Sequence, residues 1–461
     1  MRVVVTGGSG QLGTLVLRRL CATRAIKSVV SIDLQPPRVA CRKLEAHALD
    51  VRSPRVAEVL HGADALVHLA FVVTERKPRR ELFDINVGGS RNVLGSALAA
   101  GVSVIVYSSS VAAYGVVPGH AEPMTEDEPR IRQDDFPYSA AKYDVEALLD
   151  ELEAQHPGVA IARLRPGILV GTHMEHALGD LLRRRLLVDL GAPIPWVWDE
   201  DVADATVRAL ERRARGAFNL CAEPALDADA LAAGRSIRVV RIPALARQAL
   251  RVLGPVAGKL GLGRTDPSWS RAGGVRMIQS SERARKELGW RPRAASGGDV
   301  LDLYLRSAPR RLHPRLQVFF KLLALAGRTP PPEEVRRTSM RIHLALLGPH
   351  GGDVGLLLER GRLRVGPPPR PPEATVTLRA EALFDLLGGR LDLNTAQMTG
   401  KLRVEGEPTA IMLLGGIVGT LRAASQASGV RGRVVSSALD LLARPLGGAS
   451  PSHATPAKGR P

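Results

Sequence analysis

The sequence predicts an α/β protein: a doubly wound parallel sheet with a small substrate-binding subdomain, followed by a separate α+β domain. Three observations carry that expectation. Strand-like and helix-like apolar patterns alternate over residues 1 to about 150. The first strand runs straight into a glycine-rich turn that opens a helix. Past a proline-rich stretch at 329–334 the pattern changes to short strands separated by tight turns.

The first strand, Val3–Val5, is a β-branched run. It passes into Thr6-Gly-Gly-Ser-Gly-Gln-Leu-Gly13, after which Thr14–Leu20 takes helical apolar spacing. Strand, turn and helix in that order are what a dinucleotide-binding Rossmann fingerprint requires. Gly7 permits the tight turn, Gly10 admits a pyrophosphate against the backbone, and Gly13 lets helix pack on strand. The helix amino terminus offers unpaired N–H groups to the phosphates, with Gln11 and Leu12 among the contacts. A second strand, Ser28–Ile32, ends in Asp33, about 20 residues beyond the glycines, where a carboxylate accepts hydrogen bonds from an adenosine ribose. A 2′-phosphate there meets like charge, so NAD is favoured over NADP, and Arg38 tempers the preference.

Strands at Ala65–Leu69, Val102–Tyr107 and Val159–Arg165 extend the sheet, the last running into Pro166 and Gly167. Residues 192 to about 304 mix strands with helices and are expected to cover the open end of the cofactor crevice. Between these, Tyr138-Ser-Ala-Ala-Lys142 sets a phenol and an ammonium on one helix face. A lysine so placed is expected to lower the pKa of the tyrosine hydroxyl toward neutrality. Ser110 lies upstream in Tyr107-Ser-Ser-Ser-Val-Ala-Ala-Tyr-Gly115, at a strand end. In carbonyl reduction or alcohol oxidation, Tyr138 would exchange the proton, Ser110 hydrogen-bond the oxygen, and Lys142 hold the nicotinamide ribose. Asn86 either fixes backbone near the lysine or caps a helix.

At 461 residues the chain is long enough for two or three domains. Aromatic residues make up 3%, which argues against stacking platforms for single-stranded nucleic acid. The arginines behind a net charge of +18 are scattered, so no specific nucleic-acid partner is expected, whereas an anionic membrane surface stays open. Cys21, Cys41 and Cys221 show neither Cys-x-x-Cys nor zinc spacing and are expected as reduced thiols of a cytosolic protein. His173 and His176 lack the further ligands a metal site needs, so no metal is expected. Asp199, Glu200 and Asp201 are expected to cap the helix that follows. The buried-type strand at the start leaves no room for a signal peptide, and no segment supplies about 18 apolar residues in a row. A cytoplasmic protein is expected, at most peripheral at a membrane.

Two apolar-periodic stretches, Ala244–Leu253 and Arg315–Leu325, fit either a packed surface helix or one lying on a membrane interface. Residues 306–334 are expected as linker, 335–425 as the second domain, and 426–461 as a mostly disordered basic tail. In the second domain, strands are expected at 340–347, 354–359, 362–365, 374–379 and 400–406, with a helix at 380–387. Residues 409–421 are apolar on nearly every face, as a buried helix or one bordering an apolar cavity would be.

Residues 1 to about 305 resemble the extended short-chain dehydrogenase/reductase family, which includes NAD-dependent epimerases and dehydratases and 3β-hydroxysteroid dehydrogenases. The likeness rests on the glycine loop, Val67-His-Leu-Ala70, the serine run, Tyr138 to Lys142, Arg165-Pro-Gly167, Asp201-Val-Ala203 and Ala284-Arg-Lys-Glu-Leu-Gly-Trp290. It implies Ser110, Tyr138 and Lys142 as the catalytic trio. It also implies Asp33, Asp50, Val51, Leu69, Ala70, Asn86, Tyr107, Tyr138, Lys142, Pro166 and Gly167 as cofactor contacts beside Gly7, Gly10, Gln11, Leu12 and Gly13. Sugar dehydratases of the family carry an Asp-Glu pair where this chain has Val111 and Ala112, and the sugar enzymes often have asparagine where it has Ile168. Both departures remove polar groups that a sugar nucleotide would use. Residues 335 to about 425 resemble a sterol carrier protein 2 domain, through Ala374-Thr-Val-Thr-Leu378, Leu386-Leu-Gly-Gly-Arg-Leu391 and Thr399–Gly406. Such domains hold fatty acyl or sterol-like lipids.

The function expected is therefore hydride transfer between NAD and a hydroxyl or keto group of a sterol-like or other lipid. Epimerisation of a nucleotide sugar is the enzymatic alternative. A lipid-transfer or membrane-binding protein with a redox-sensing NAD domain is the alternative of another class. Dimerisation through two helices per subunit, common in the family, is carried as an expectation only.

Overall fold

The computed structural model describes residues 1–426 apart from 74–77, 172–176, 190, 236, 244–273, 308–311, 327–338, 349–350, 360–361, 370–371 and 388. His173 and His176, the stretch Ala244–Leu253 and nearly all of the expected tail lie outside the described residues. The chain divides into two compact units, residues 1–308 and 309–461.

The first unit is built on seven parallel strands: β1 (Arg2–Thr6), β2 (Ser28–Asp33), β3 (Leu44–Ala48), β4 (Ala65–His68), β5 (Val104–Ser108), β6 (Ala160–Pro166) and β10 (Gly216–Leu220). Between the last two the chain makes β7 (Ile168–Val170), β8 (Leu186–Asp189) and β9 (Trp196–Trp198). The order β10-β6-β5-β4-β1-β2-β3 reverses direction of winding between β4 and β1, and a crevice opens at the carboxyl ends of strands at such a switch point. Val3, Val4 and Val5 are fully buried, as a strand covered on both faces requires. Helix α1 (Gln11–Ala22) packs Leu15, Val16 and Leu20 into the apolar layer on one face. Helix α2 (Pro137–Gln155) packs Val145, Leu148 and Leu149 into the layer on the other.

A smaller subdomain surrounds the ribbon of β7 with β9 and the pair of β8 with β11 (Arg238–Arg241). Its own core includes Val170, Leu187, Trp196, Trp198, Leu301 and Tyr304. From β9 the chain enters α3 (Asp199–Glu211), which lies against α1.

Two expectations are corrected in this unit. Cys21 and Cys41 are joined in a disulfide with Cα atoms 6.3 Å apart, so only Cys221 is a free thiol. The parallel pairing of β2 with β3 carries the segment before β3 back beside the end of α1, a long-range closure that cysteine spacing does not reveal. The acidic triplet occupies the first turn of α3, where the helix dipole favours it. Yet the N-cap residue is Trp198, without a side-chain cap bond. Asp201 accepts instead from the backbone N–H groups of Arg293 and Ala294, at 2.9 and 3.1 Å.

The second unit has a five-stranded sheet of order β14-β13-β12-β15-β16, with β12 (Met340–Leu347), β13 (Gly352–Glu359), β14 (Arg362–Gly366), β15 (Ala374–Arg379) and β16 (Leu402–Gly406). Strands β12 and β15 run parallel and the other pairs antiparallel. Met340, Ile342, Leu344 and Leu346 alternate into the core, the period expected of a sheet with one covered face. Helices α4 (Pro314–Ala326), α5 (Ala380–Leu387) and α6 (Ala410–Gln426) supply most of the rest of that core. Helix α4 occupies part of the expected linker, and its Leu316, Phe319 and Phe320 are buried in this core. Helix α6 buries Ala410, Leu413, Leu414 and Val418 along one stripe, while Met412 on another face is 68% exposed. Among the described residues, no helix is long and apolar enough to cross a membrane.

Candidate active site

The glycine turn after β1 has the geometry its composition predicts. Gly7 stands at φ +75°, and a Cβ there would lie 2.6 Å from the Ala70 nitrogen. A Cβ on Gly13 would sit 2.1 Å from the Gly7 carbonyl oxygen, so the first turn of α1 closes onto the loop only because both positions lack side chains. The first intrahelical bond runs from the Thr14 N–H to the Gly10 carbonyl at 2.9 Å. The N–H groups of Gln11, Leu12 and Gly13 precede it in the first turn, the part of a helix that can meet an anion. Asp33 ends β2 beside them, accepting from the Ser9 N–H at 3.0 Å and the Gln35 N–H at 3.2 Å. This cradle fits a dinucleotide: a close backbone surface for two phosphates and a fixed carboxylate for a ribose.

Around it stand the other residues named from sequence. Leu69 and Ala70 leave β4 held to Thr6, through its carbonyl oxygen at 3.1 Å and its hydroxyl at 3.3 Å. Asp50 carries a two-point ion pair with Arg52, and the Val51 carbonyl accepts from Asn92 at 2.7 Å. Asn86 is fully buried, and its amide both accepts from and donates to the backbone of Val72, at 2.7 and 3.0 Å. It thus anchors the loop after β4, which is the backbone-fixing role of its two alternatives. Tyr107 is buried, stacked on His68 with ring centroids 5.7 Å apart. A Cβ on Gly167 would lie 2.0 Å from the Pro195 carbonyl oxygen, so glycine there admits the chain leading into β9.

Ser110, Tyr138 and Lys142 are brought together. Tyr138 and Lys142 stand one turn apart near the start of α2, and Ser110 follows the end of β5. The Ser110 side chain lies near enough to Tyr138 to draw the phenol's pKa down against the effect of burial. Lys142 donates to the Ser108 carbonyl at 2.7 Å and to the Tyr107 hydroxyl at 3.3 Å. Its Nζ also lies 3.6 Å from the centre of the Phe71 ring, a cation–π contact.

The electrostatics differ from the sequence expectation. Burial pushes the Tyr138 hydroxyl up rather than down, and the Ser110 side chain offsets only part of that. Burial likewise pulls the Lys142 ammonium down to about 7, against the opposing pull of the Glu146 carboxylate. Withdrawal of both groups from water outweighs their spacing on the helix.

Spacing alone did not reveal two further features. Phe71, from the loop after β4, packs edge-on against Tyr138 with centroids 5.6 Å apart. With Val111, Val116, Phe136, Val275 and Met277 it makes an apolar wall on the tyrosine. Asp199 is 1% exposed and accepts from Gln11 Nε2 at 2.8 Å, which ties α3 to the glycine turn. Burial raises its carboxyl to about 6.

Comparison with known proteins agrees with this architecture. Residues 3–221 match the NAD dependent epimerase/dehydratase family, and residues 322–419 match the SCP-2 sterol transfer family. The chain is 29% identical over 344 residues to UDP-glucose 4-epimerase of Azospirillum brasilense, covering 67% of this chain and 90% of that protein. It is 27% identical over 227 residues to sterol demethylase protein B of Methylococcus capsulatus, covering 47% of this chain and 68% of that protein. A short-chain dehydrogenase/reductase superfamily protein of Agrobacterium tumefaciens, solved with bound NAD, superposes with a TM-score of 0.52 at 20% identity, over 66% of this chain and 96% of that one. At that identity the superposition establishes the fold.

Proposed function

We propose, for a chain whose amino-terminal domain belongs to the NAD dependent epimerase/dehydratase family and whose carboxyl-terminal domain belongs to the SCP-2 sterol transfer family, NAD-dependent interconversion of a hydroxyl and a keto group on a lipid substrate. The observation that carries this reading is the grouping of buried Tyr138, Ser110 and Lys142 at the carboxyl edge of a parallel sheet with a dinucleotide cradle.

NAD bound at the glycine turn supplies the site that accepts or donates hydride. The protein's own groups handle the proton and the geometry. Tyr138 takes the proton from the substrate alcohol, or returns it to the carbonyl oxygen. Ser110 donates a hydrogen bond to the same oxygen and holds it against the phenol. Lys142 would stabilise the phenolate form by its charge and meet the nicotinamide ribose. Gln11, Leu12 and Gly13 would hold the phosphates and Asp33 the adenosine ribose.

The apolar wall of Phe71, Val111, Val116 and Phe136 supports a lipid rather than a sugar, because it offers few hydrogen-bond partners to a ring of hydroxyl groups. A tethered lipid-binding domain supports the same choice, since it raises the local concentration of an insoluble substrate. Nucleotide-sugar epimerisation is the second reading, favoured by the likeness to UDP-glucose 4-epimerase across 90% of that protein. Incubating the full chain with NAD and either a 3β-hydroxysteroid or UDP-glucose separates them. NADH accumulating with the steroid is the expected outcome. Conversion of UDP-glucose to its 4-epimer without net NADH would replace this reading with the second.

A further inference from the structure

The carboxylate of Glu146 is fully buried one turn beyond Lys142 on α2, where an apolar side chain would pack at lower electrostatic expense. It is surrounded by donors. Arg165 reaches it through Nε at 2.9 Å and again through Nη2, Arg130 through Nη1 at 3.1 Å, and Ser109 through its hydroxyl. These partners belong to the segments that carry the site. Ser109 immediately precedes Ser110, and Arg165 immediately precedes Pro166 and Gly167 at the end of β6. Lys142, on the same face of α2, holds the carbonyl of Ser108 at 2.7 Å. Two side chains spaced i and i+4 therefore grip two consecutive residues at the end of β5.

From this convergence we infer that Glu146 is a positioning residue for the acid–base pair. It fixes the end of β5, and so the Ser110 hydroxyl, and the end of β6 relative to Tyr138 and Lys142. A buried ion pair of this kind is a poor source of stability but a stringent determinant of geometry. Its negative charge also opposes the loss of the Lys142 proton on burial. The inference rests on Tyr138 being the proton-transfer group.

The test compares the full chain with its Ser109→Ala, Glu146→Gln and Tyr138→Phe variants, using NAD and a 3β-hydroxysteroid as probes. Ser109→Ala deletes one link and keeps the Glu146–Arg165 pair, so it reports even where Glu146→Gln fails to fold. In each variant that folds, kcat should fall by about tenfold or more, because small misplacements of reacting groups are expensive. The Kd for NADH should stay within about threefold, which separates positioning from general damage. Wild-type kcat in Ser109→Ala and in folded Glu146→Gln, with Tyr138→Phe inactive, would overturn the inference while leaving the catalytic reading intact. Loss confined to NADH affinity would also overturn it, leaving a structural role. Turnover surviving in Tyr138→Phe would remove the catalytic reading itself.

Discussion

Lys142 shows how a site residue can stand against its fold. Its ammonium is pulled down from its ordinary value of 10.5 to about 7 by burial, so the folded chain binds that proton more weakly than the unfolded chain does. Between those two values the unfolded state carries more protons, and the lysine's destabilising effect fades as pH rises through the window. Below it the full penalty applies. Lys142→Met is therefore expected to raise unfolding free energy by about 1 kcal/mol or more near about pH 6, with the gain vanishing near about pH 11. The same variant should lose turnover. Denaturant titrations at the two pH values check this, and a variant less stable at the lower pH would contradict it. The pair Tyr138 and Lys142 was legible in sequence because helical spacing is local. The upward shift of the tyrosine was not, because it follows from burial by residues distant in the chain, Phe71 and Met277 among them.

Elements were legible where their signal was apolar and periodic. Strands β1, β2, β4, β5 and β6 are continuous buried runs, and the glycine loop announces the turn into α1. Strand β3 reads Leu44-Glu-Ala-His-Ala48 and sits at the sheet edge, half exposed, so it has no apolar pattern to betray it. Helix α4 has the apolar period of a helix but falls inside the expected linker 306–334; its two phenylalanines are buried in the second unit's core, a contact the period alone does not specify. Gly8 was read only as part of the loop, although a Cβ there would lie 2.2 Å from the Ser31 hydroxyl. Within the loop the tightest contact belongs to Gly13, whose Cβ would lie 2.1 Å from the Gly7 carbonyl oxygen. Gly13→Ala should force α1 away from the turn, cost about 1–3 kcal/mol of stability and weaken NADH binding by about tenfold or more. Calorimetric titration with NADH checks it, and unchanged affinity would mean that the helix end does not hold the phosphates.

At the scale of the whole molecule, the net charge of +18 coexists with pairing of several arginines to carboxylates. Arg52 joins Asp50 and Asp84, Arg132 joins Asp144, and Arg163 joins Glu153 and Asp150. The presence of a dinucleotide unit and a mixed-sheet unit was legible from the change of apolar period across residues 329–334, but the units divide at residue 308, ahead of α4, because that helix joins the second core. The disulfide and the buried carboxylates of Glu146 and Asp199 were not, since each is defined by a partner many residues away. The account's central claim is that the Tyr138 phenol moves the proton while NAD moves the hydride. Initial rates of NADH formation from NAD and a 3β-hydroxysteroid, in the full chain and in its Tyr138→Phe variant at matched NAD occupancy, test it most directly. The expected result is a fall of about a hundredfold or more in the variant. Equal rates in the two proteins would contradict it.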